Sequence, residues 1–331
     1  MHGFFHKHGL PHMSTDAILA STRTHLNIDP SVSVTMTPIK KGASGRTVVR
    51  IMSTGRDPFI GIHWKPERPD SDNFVPVARF LKKCKLRVPE VYYENRNKRV
   101  ALVQDLGDVD LLSLKDAPFA ERLPYYRSAL TQIDQLFYAR PPKDLELMPP
   151  FDENLYRWEQ EYFMDHLVGD YLGMDSAPLR QSAELIKLAQ GLGASAKHLV
   201  HRDFQSQNIL LFEGEAWLID FQGLRRGRQE YDLASLFYDP YMNHSDDDRE
   251  RLLDLWEEIS EDRPAVTTLR DCAIQRLMQA LGAYGNLVEN QQQDWYQQHI
   301  PTAAAMLHGL VKETVLEELL VPYLRQAMRQ K

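Results

Sequence analysis

The chain contains 331 residues, of which 43% are apolar and 26% are charged. These proportions are typical of globular proteins and exclude a disordered or fibrous chain. The 39 basic and 46 acidic residues give a formal net charge of −7. That charge argues against nucleic acid or an anionic membrane as a partner, because both require a basic face. The length predicts two domains.

The sequence shows neither an export signal nor a membrane span. Its two cysteines, Cys84 and Cys272, are too few for a disulfide framework, and its apolar runs are far shorter than the roughly 18 residues that cross a bilayer. Residues 1–13 contain four histidines but no apolar core of a signal peptide. We expect a cytoplasmic protein without an obligate protein partner. Its residues 1–13 are expected to form a flexible extension or tag remnant, with a metal-binding tract as the alternative.

The first predicted domain, residues 14–107, is a small lobe built on β-strands. Two β-rich runs between residues 32 and 52 are joined by a glycine-containing segment, as in a hairpin. Further strands are predicted at 59–64, 88–93 and 100–104. Between them, residues 74–82 carry apolar side chains at i, i+3, i+4 and i+7, which indicates a helix. The predicted lobe has a five-stranded, mainly antiparallel sheet and one helix.

The second predicted domain, residues 108–331, is mostly helical. A short β island at 209–212 and 216–219 interrupts it, and Pro322 should kink or break the last helix. The helices are predicted at 122–139, 154–172, 182–197, 249–259, 266–284 and 302–329.

The segment His201–Asn208 fits the catalytic-loop pattern H-R-D-x-x-x-x-N of protein kinases. An apolar run follows Asn208, then a glycine turn, then a second apolar run that ends at Asp220. This order places Asp203 before a hairpin and Asp220 at its far end, so that both carboxylates can face one cavity.

Phosphoryl transfer depends mainly on positioning and on neutralising charge. Asp203 can orient the attacking hydroxyl or accept its proton, and is the predicted catalytic residue. Asn208 and Asp220 offer hard oxygen ligands for Mg²⁺ that bridges nucleotide phosphates. Each acid alone could be a helix cap or a turn residue, but their joint order favours a kinase that uses ATP and Mg²⁺.

With these motifs, the chain resembles the aminoglycoside phosphotransferase / choline kinase branch of the protein-kinase-like fold. Within that branch it is similar to the bacterial N-acetylmuramate/N-acetylglucosamine 1-kinases of cell-wall recycling. The resemblance implies a bilobal α+β fold, with a β-rich N-lobe and a larger helical C-lobe. It also implies a sugar as the small-molecule substrate, with the anomeric hydroxyl as the expected acceptor. The segments that carry it are His201–Asn208, Ile219-Asp220-Phe221-Gln222-Gly223, Tyr231–Leu236, Asp239-Pro240-Tyr241 and Val88-Pro89-Glu90-Val91.

The nucleotide is expected to contact the N-lobe at three places. The glycine-containing turn offers backbone N–H groups and a hydroxyl to phosphate, although it can also be an ordinary hairpin. The strand at 59–64 lacks the lysine of protein kinases, so Lys41, Arg46 or Lys65 would supply the cation. Adenine would pair with backbone groups of residues 102–105, where the interlobe hinge is expected. The predicted nucleotide-binding residues are Gly42, Ser44, Gly45, Arg46, Lys65, Gln104 and Asp105.

The sugar is expected to contact polar and aromatic side chains of the C-lobe. Glu159 and His166 lie on an acidic, aromatic helix, whose alternative interpretation is that its aromatic side chains form core. Gln205 and Gln222 flank the two catalytic acids. Three further residues are expected to hold the catalytic loop rather than to touch ligands: His201, Arg202 and Asp232.

Two other functions stay open. An aminoglycoside kinase needs an acidic site for its polycationic substrate, and residues 156–176 contain five acids. A nucleotide-binding pseudokinase would explain the missing strand lysine, but Asp203, Asn208 and Asp220 are all present, which argues against it.

Overall fold

The computed structural model describes residues 12–29, 31–39, 45–66, 69–260 and 263–330. The chain divides into two compact units, Met1–Gly107 and Asp108–Lys331, called here the N-lobe and the C-lobe. Most of the predicted extension at 1–13 lies outside the described residues; only its last two residues are described, at the start of a helix.

The N-lobe contains one antiparallel sheet of five strands in the order β1-β2-β3-β5-β4. In β2 and β3, Arg50 lies opposite Ile60, and Phe59 of β3 lies opposite Gln104 of β5. This arrangement confirms the predicted β-rich lobe. The strands are β1 (Val34–Pro38), β2 (Thr47–Ser53), β3 (Phe59–His63), β4 (Val91–Asn95) and β5 (Val100–Gln104).

Helices cover the sheet, and two of them, at residues 12–26 and 69–72, were not predicted. Helix α1 (His12–Leu26) packs its fully buried Ile18 into a cluster with residues such as Val49 and Leu102. A Cβ atom on Gly61 of β3 would overlap Ile18, so this glycine allows the close approach. After the short α2 (Pro69–Asp72), α3 (Phe74–Lys83) buries the predicted apolar stripe.

The C-lobe combines nine helices with two small β-ladders among its described residues. The predicted hairpin is present as β7 paired with β8, whereas the pairing of β6 with β9 was not predicted. The helices are α4 (Phe119–Tyr138), α5 (Glu153–Phe163), α6 (Ala177–Arg180), α7 (Ala183–Gly193), α8 (Gln229–Phe237), α9 (Asp246–Ile259), α10 (Val266–Glu289), α11 (Ile300–Val311) and α12 (Glu317–Arg329), and the strands are β6 (His198–Val200), β7 (Ile209–Phe212), β8 (Glu215–Leu218) and β9 (Arg225–Gly227).

The predicted last helix is two helices, and the predicted break at Pro322 is wrong because the interruption precedes α12; a kink at Pro322 stays a prediction. The first of these helices, α11, ends at Val311. Two residues later, Glu313 adopts a left-handed backbone conformation (φ 60°). The Thr314 hydroxyl donates to the Val311 carbonyl at 2.6 Å and accepts the Leu316 N–H at 3.2 Å. This side-chain bonding replaces the helical pattern, while Pro322 lies within α12.

Helix α10 passes through the core of the C-lobe and touches the backbone of a neighbouring helix. The chain of α5 continues as a π-helical segment, Met164–Tyr171. At Gly282, a Cβ atom would lie 2.8 Å from the Phe163 nitrogen, and at Gly285 it would overlap the His166 carbonyl. The two glycines therefore set the spacing between α10 and the segment that carries His166.

In the described part of the chain, no helix has both the length and the apolar surface needed to cross a bilayer.

We predict that Gly285→Ala lowers the free energy of unfolding by about 1–3 kcal/mol, because its methyl group would push two helices apart. Gly309→Ala is the matched control, since a Cβ there meets no atom within 4 Å and alanine favours a helix by up to about 1 kcal/mol over glycine. Urea unfolding of both variants measures the difference. Equal stability of the two variants would contradict the close approach.

Candidate active site

The catalytic loop, residues 201–208, connects β6 to β7 in the C-lobe. Arg202 adopts a positive φ of 80°, and a 3₁₀ turn at Ser206–Asn208 closes the loop. The Asn208 side-chain nitrogen donates to the Asp203 carbonyl at 2.9 Å. Because the nitrogen of this amide is used within the loop, its oxygen is the atom that Asn208 can offer to a ligand.

Asp220 is brought next to Asn208 by the hairpin. The last ladder pair of β7 and β8 is Ile209 with Leu218, and beyond it the Ile219 N–H donates to the Asn208 carbonyl at 3.0 Å. Asp220 itself is left-handed (φ 63°) and accepts the Gln222 side-chain nitrogen at 2.9 Å. The predicted pair of oxygen donors is therefore assembled at one end of the hairpin.

Asp232 of α8 holds the first half of the catalytic loop. Its two carboxylate oxygens accept the backbone N–H groups of His201 at 2.6 Å and of Arg202 at 2.8 Å. Burial raises the pKa of Asp232 to about 7, an effect that these two donors oppose. His201 is also buried, and burial lowers the pKa of its ring. These positions agree with the predicted structural roles of His201 and Asp232.

A second acid, Asp239, holds the other half of the loop. It is fully buried and accepts the backbone N–H groups of Ser206 at 2.8 Å and of Tyr241 at 2.9 Å. Burial raises the pKa of this carboxyl. Asp239 belongs to a run that carried the family resemblance, but it was missed as a site residue because nothing in the sequence shows where its carboxylate points.

Arginines surround the Asp203 carboxylate. Arg202 lies 3.4 Å from one of its oxygens and Arg276 of α10 lies 3.7 Å from the other. Burial alone would raise the pKa of Asp203, but the positive charges of Arg202 and Arg276 more than offset it, so the pKa is lowered. The carboxylate is thus held in the ionised form that can accept a hydrogen bond from a hydroxyl.

Arg225 of β9 contributes to the same field without forming an ion pair with Asp203 at contact distance. Its Nε donates to the Gly223 carbonyl at 3.0 Å, and its guanidinium lies over the Phe151 ring. Burial and the charge of Arg202 lower the pKa of Arg225 to about 10. Neither Arg225 nor Arg276 was predicted, because a single arginine on a strand or helix gives no sequence signal of facing a site.

The four residues predicted to bind the sugar differ in whether they lie beside the catalytic acids. Gln205 and Gln222 lie beside the catalytic acids, where Gln205 accepts a bond from Arg276 and Gln222 donates to Asp220. Glu159 is instead buried (1% exposed), and its oxygens accept the Tyr231 hydroxyl at 2.8 Å and the Gln275 nitrogen at 3.2 Å. Its burial agrees with the alternative interpretation of this helix as core.

His166 occupies the outer side of the π-helical segment. It bonds Asp170 at 2.8 Å, and Asn290, the residue after α10, donates to the same Asp170 carboxylate at 3.0 Å. No described contact links His166 to the catalytic loop. Its role toward a sugar stays a prediction.

The predicted nucleotide residues are only partly described. Gly42 and Ser44 lie outside the described residues, while Gly45 has a positive φ of 65° and Lys65 is exposed two residues after β3. Arg46 lies beside Gly45 and is half-buried.

In the segment predicted to bind adenine, the Gln104 backbone N–H and the Asp105 side chain already have hydrogen-bond partners within the N-lobe. The Gln104 N–H donates to the Glu90 carbonyl at 2.9 Å. The Asp105 carboxylate binds the Arg50 guanidinium in a bidentate pair at 2.5 and 3.0 Å. Because Arg50 lies on β2, this ion pair fixes the Asp105 side chain to the sheet.

The donor set fits magnesium that arrives with a nucleotide. Within the described ranges there is no group of three or more His, Cys, Asp or Glu side chains that could hold a metal ion by itself. Mg²⁺ commonly takes one or two protein ligands and completes its shell with phosphates and water. Asn208 and Asp220 match that pattern.

Comparison with known proteins agrees with this geometry. The sequence model of the phosphotransferase enzyme family (APH) matches residues 35–269. An N-acetylmuramate/N-acetylglucosamine kinase of Pseudomonas putida is 28% identical over 212 residues, which cover 63% of this chain and 60% of that protein. A protein of the same name from Neisseria meningitidis is 26% identical over 246 residues, covering 69% of this chain and 72% of that protein. The matches confirm the resemblance predicted from the motifs.

Solved structures show the same fold. A choline/ethanolamine kinase family protein from Mesorhizobium loti has a TM-score of 0.61 at 14% identity, covering 94% of this chain and 99% of that chain. An ADP-bound aminoglycoside phosphotransferase has a TM-score of 0.57 at 12% identity, covering 95% of this chain and 97% of that chain. The predicted bilobal α+β kinase-like fold is confirmed.

We predict that Asp239→Ala frees the second half of the catalytic loop. Removing the acceptor leaves buried N–H groups unpaired, which costs about 1–3 kcal/mol of unfolding free energy. Amide hydrogen exchange at Ser206 should become faster than in the unaltered protein.

The matched control is Asp144→Ala, which removes an exposed acid from a C-lobe loop and should change neither quantity. Unaltered exchange at Ser206 in Asp239→Ala would show that the loop does not depend on this carboxylate.

Proposed function

The chain belongs to the phosphotransferase enzyme family, and from this membership we propose that it is a kinase that transfers the γ-phosphoryl group of Mg-ATP to a sugar hydroxyl. The proposed acceptor is the anomeric hydroxyl of N-acetylmuramate, N-acetylglucosamine or a related sugar. We also propose that it acts in the cytoplasm on a free small molecule. Both cysteines are unpaired, which agrees with a reducing compartment.

The observation that carries the proposal is the placement of Asp203 on a pinned loop whose other end, Asn208, adjoins Asp220. This is the division of labour that phosphoryl transfer requires: one carboxylate for the attacking hydroxyl and two oxygen donors for the ion that binds the phosphates. All three side chains are partly exposed, so ligands can reach them.

In the proposed reaction, Asp203 accepts a hydrogen bond from the sugar hydroxyl. This bond aligns the hydroxyl oxygen with the γ-phosphorus of ATP. The new oxygen–phosphorus bond forms as the bond to the β-phosphate oxygen breaks, ADP leaves, and the hydroxyl proton passes to Asp203 and then to solvent. Asn208 and Asp220 would hold Mg²⁺, which neutralises phosphate charge when bound. The lowered pKa of Asp203 makes it a weak base, so orienting the hydroxyl is its larger contribution.

The choice of a sugar acceptor rests on the curated relatives. Two of them, from Pseudomonas putida and Pseudomonas aeruginosa, are aligned over 60% of their own length, so this chain spans less than two thirds of those two proteins. Gln205 and Gln222 beside the catalytic acids agree with a substrate rich in hydroxyl groups.

Most of the acids that would attract an aminoglycoside are buried or have partners within the C-lobe. Glu161 and Asp165 both pair with Arg180, Asp170 is bound by His166 and Asn290, and Glu159 is buried. These contacts reduce the negative charge of the segment but do not remove it, since Asp175 is exposed.

The experiment that tests the proposal is an acceptor panel with Mg-ATP. N-acetylmuramate, N-acetylglucosamine, glucose, galactose and kanamycin are each incubated with the protein, and ADP release is measured. We expect acceptor-dependent ADP from the two amino sugars and none from kanamycin. Product from kanamycin and from none of the sugars would replace the sugar kinase with an antibiotic kinase.

Asp203→Ala should lower turnover with the preferred sugar by about 10²–10⁴-fold, the usual effect of losing such a group. Its matched control is Asp144→Ala, an exposed acid in a C-lobe loop, which should retain full turnover. Equal turnover of the two variants would remove Asp203 from the reaction.

A further inference from the structure

Arg276 is a charged side chain in the interior of the C-lobe. It lies in the middle of α10 and is 8% exposed. Arginine is seldom buried unless each of its donors is matched. Each N–H group of Arg276 is therefore expected to have an acceptor nearby.

The guanidinium of Arg276 makes contacts in three directions. Its Nε donates to the Ser235 hydroxyl of α8 at 3.1 Å, and Nη1 donates to the Gln279 side-chain oxygen. Its Nη2 donates to the Gln205 side-chain oxygen at 2.9 Å and also lies 3.7 Å from the Asp203 carboxylate. One planar group thus joins α8 and α10 to Asp203 and Gln205 of the catalytic loop.

The Ser235 contact fixes where this group sits. The Ser235 hydroxyl donates its own hydrogen to the Tyr231 carbonyl at 2.8 Å, so its lone pairs are turned to Arg276. Ser235 is buried on the same helix as Asp232. The Ser235 contact therefore fixes the position of Arg276 relative to α8, the same helix whose Asp232 binds the backbone of the catalytic loop.

The polarity of the Gln205 contact carries the inference. A side-chain amide has an oxygen that accepts and an NH₂ group that donates, whereas a guanidinium only donates. Arg276 can bind only the oxygen end of Gln205. Gln205 is thereby locked with its NH₂ group available to a ligand, and it cannot flip to present an oxygen there.

Resting on the proposed function, we propose that Arg276 is a positioning residue for the acceptor. Through Gln205 it presents a hydrogen-bond donor to an oxygen atom of the sugar, and through Asp203 it keeps the carboxylate aligned with the attacking hydroxyl. Arg276 itself does not touch the sugar. The site then recognises an acceptor that offers an oxygen lone pair next to its reacting hydroxyl.

Lysine cannot replace arginine in this role. Lysine keeps the charge but offers one point of attachment instead of a planar fork, so it cannot bind Ser235, Gln205 and Asp203 together. We expect Arg276→Lys to raise the KM for the sugar by about 10-fold, a loss of about one hydrogen bond, with the KM for ATP unchanged. Arg276→Met should also lower kcat by about 10–100-fold, since Asp203 loses alignment.

A double-mutant cycle with Gln205→Leu tests whether Arg276 acts through Gln205. If it does, Arg276→Lys adds little to the sugar KM once Gln205 is leucine, so the two effects are not additive. Additive effects, or a wild-type sugar KM in Arg276→Lys, would overturn the inference. Arg270→Met, the same loss of charge on the same helix, is the control and should keep wild-type kinetics.

A readout without turnover separates this inference from the proposed function. The side-chain ¹⁵N–¹H signals of Gln205, assigned by their absence in Gln205→Leu, should be rigid in the unaltered protein and mobile in Arg276→Lys. Signals that stay equally rigid would overturn the inference, whichever acceptor is used. Absence of ADP release with every sugar would instead overturn the proposed function. If Arg276→Met does not fold, as thermal unfolding would show, the lysine variant decides alone.

Discussion

The carboxylates of Asp232 and Asp239 accept backbone N–H groups from both halves of the catalytic loop and anchor it to the rest of the C-lobe. A segment with a left-handed residue at Arg202 cannot rely on regular helix or strand bonding. Both acids sit in or just after α8, so one helix determines the path of the loop. From that path follow the position of Asp203 and, through Asn208, the approach of Asp220.

Burying acids so close together requires compensation, and arginines supply it. Asp203 lies between Arg202 and Arg276, with Arg225 adding to the field. The chain as a whole carries a net charge of −7, so its positive charge is placed locally rather than spread over a surface. The same arginines keep Asp203 ionised and aligned, which is why the charges that stabilise the site also prepare it for chemistry.

Local patterns in the sequence predicted the elements whose formation depends on residues close together in the chain. The strands of the N-lobe, the helix at 74–82 and the hairpin that carries Asp220 all follow from hydrophobic periodicity and turn residues, and the motif His201–Asn208 marked the loop. Helix α1 was missed because its buried face includes Ser21 and Thr22, so it shows no apolar stripe. Arg276 was missed because it lies 71 residues after its partner Gln205, and only the packing of α10 brings them together.

The most direct test of the account is ³¹P NMR of the protein with Mg-ATP and N-acetylmuramate. If the pinned loop transfers a phosphoryl group to the anomeric oxygen, the γ-phosphate signal of ATP declines. A sugar phosphate signal that is coupled to the anomeric proton should appear in its place. A spectrum in which ATP gives only inorganic phosphate, or in which no phosphorus signal changes with any sugar, would contradict it.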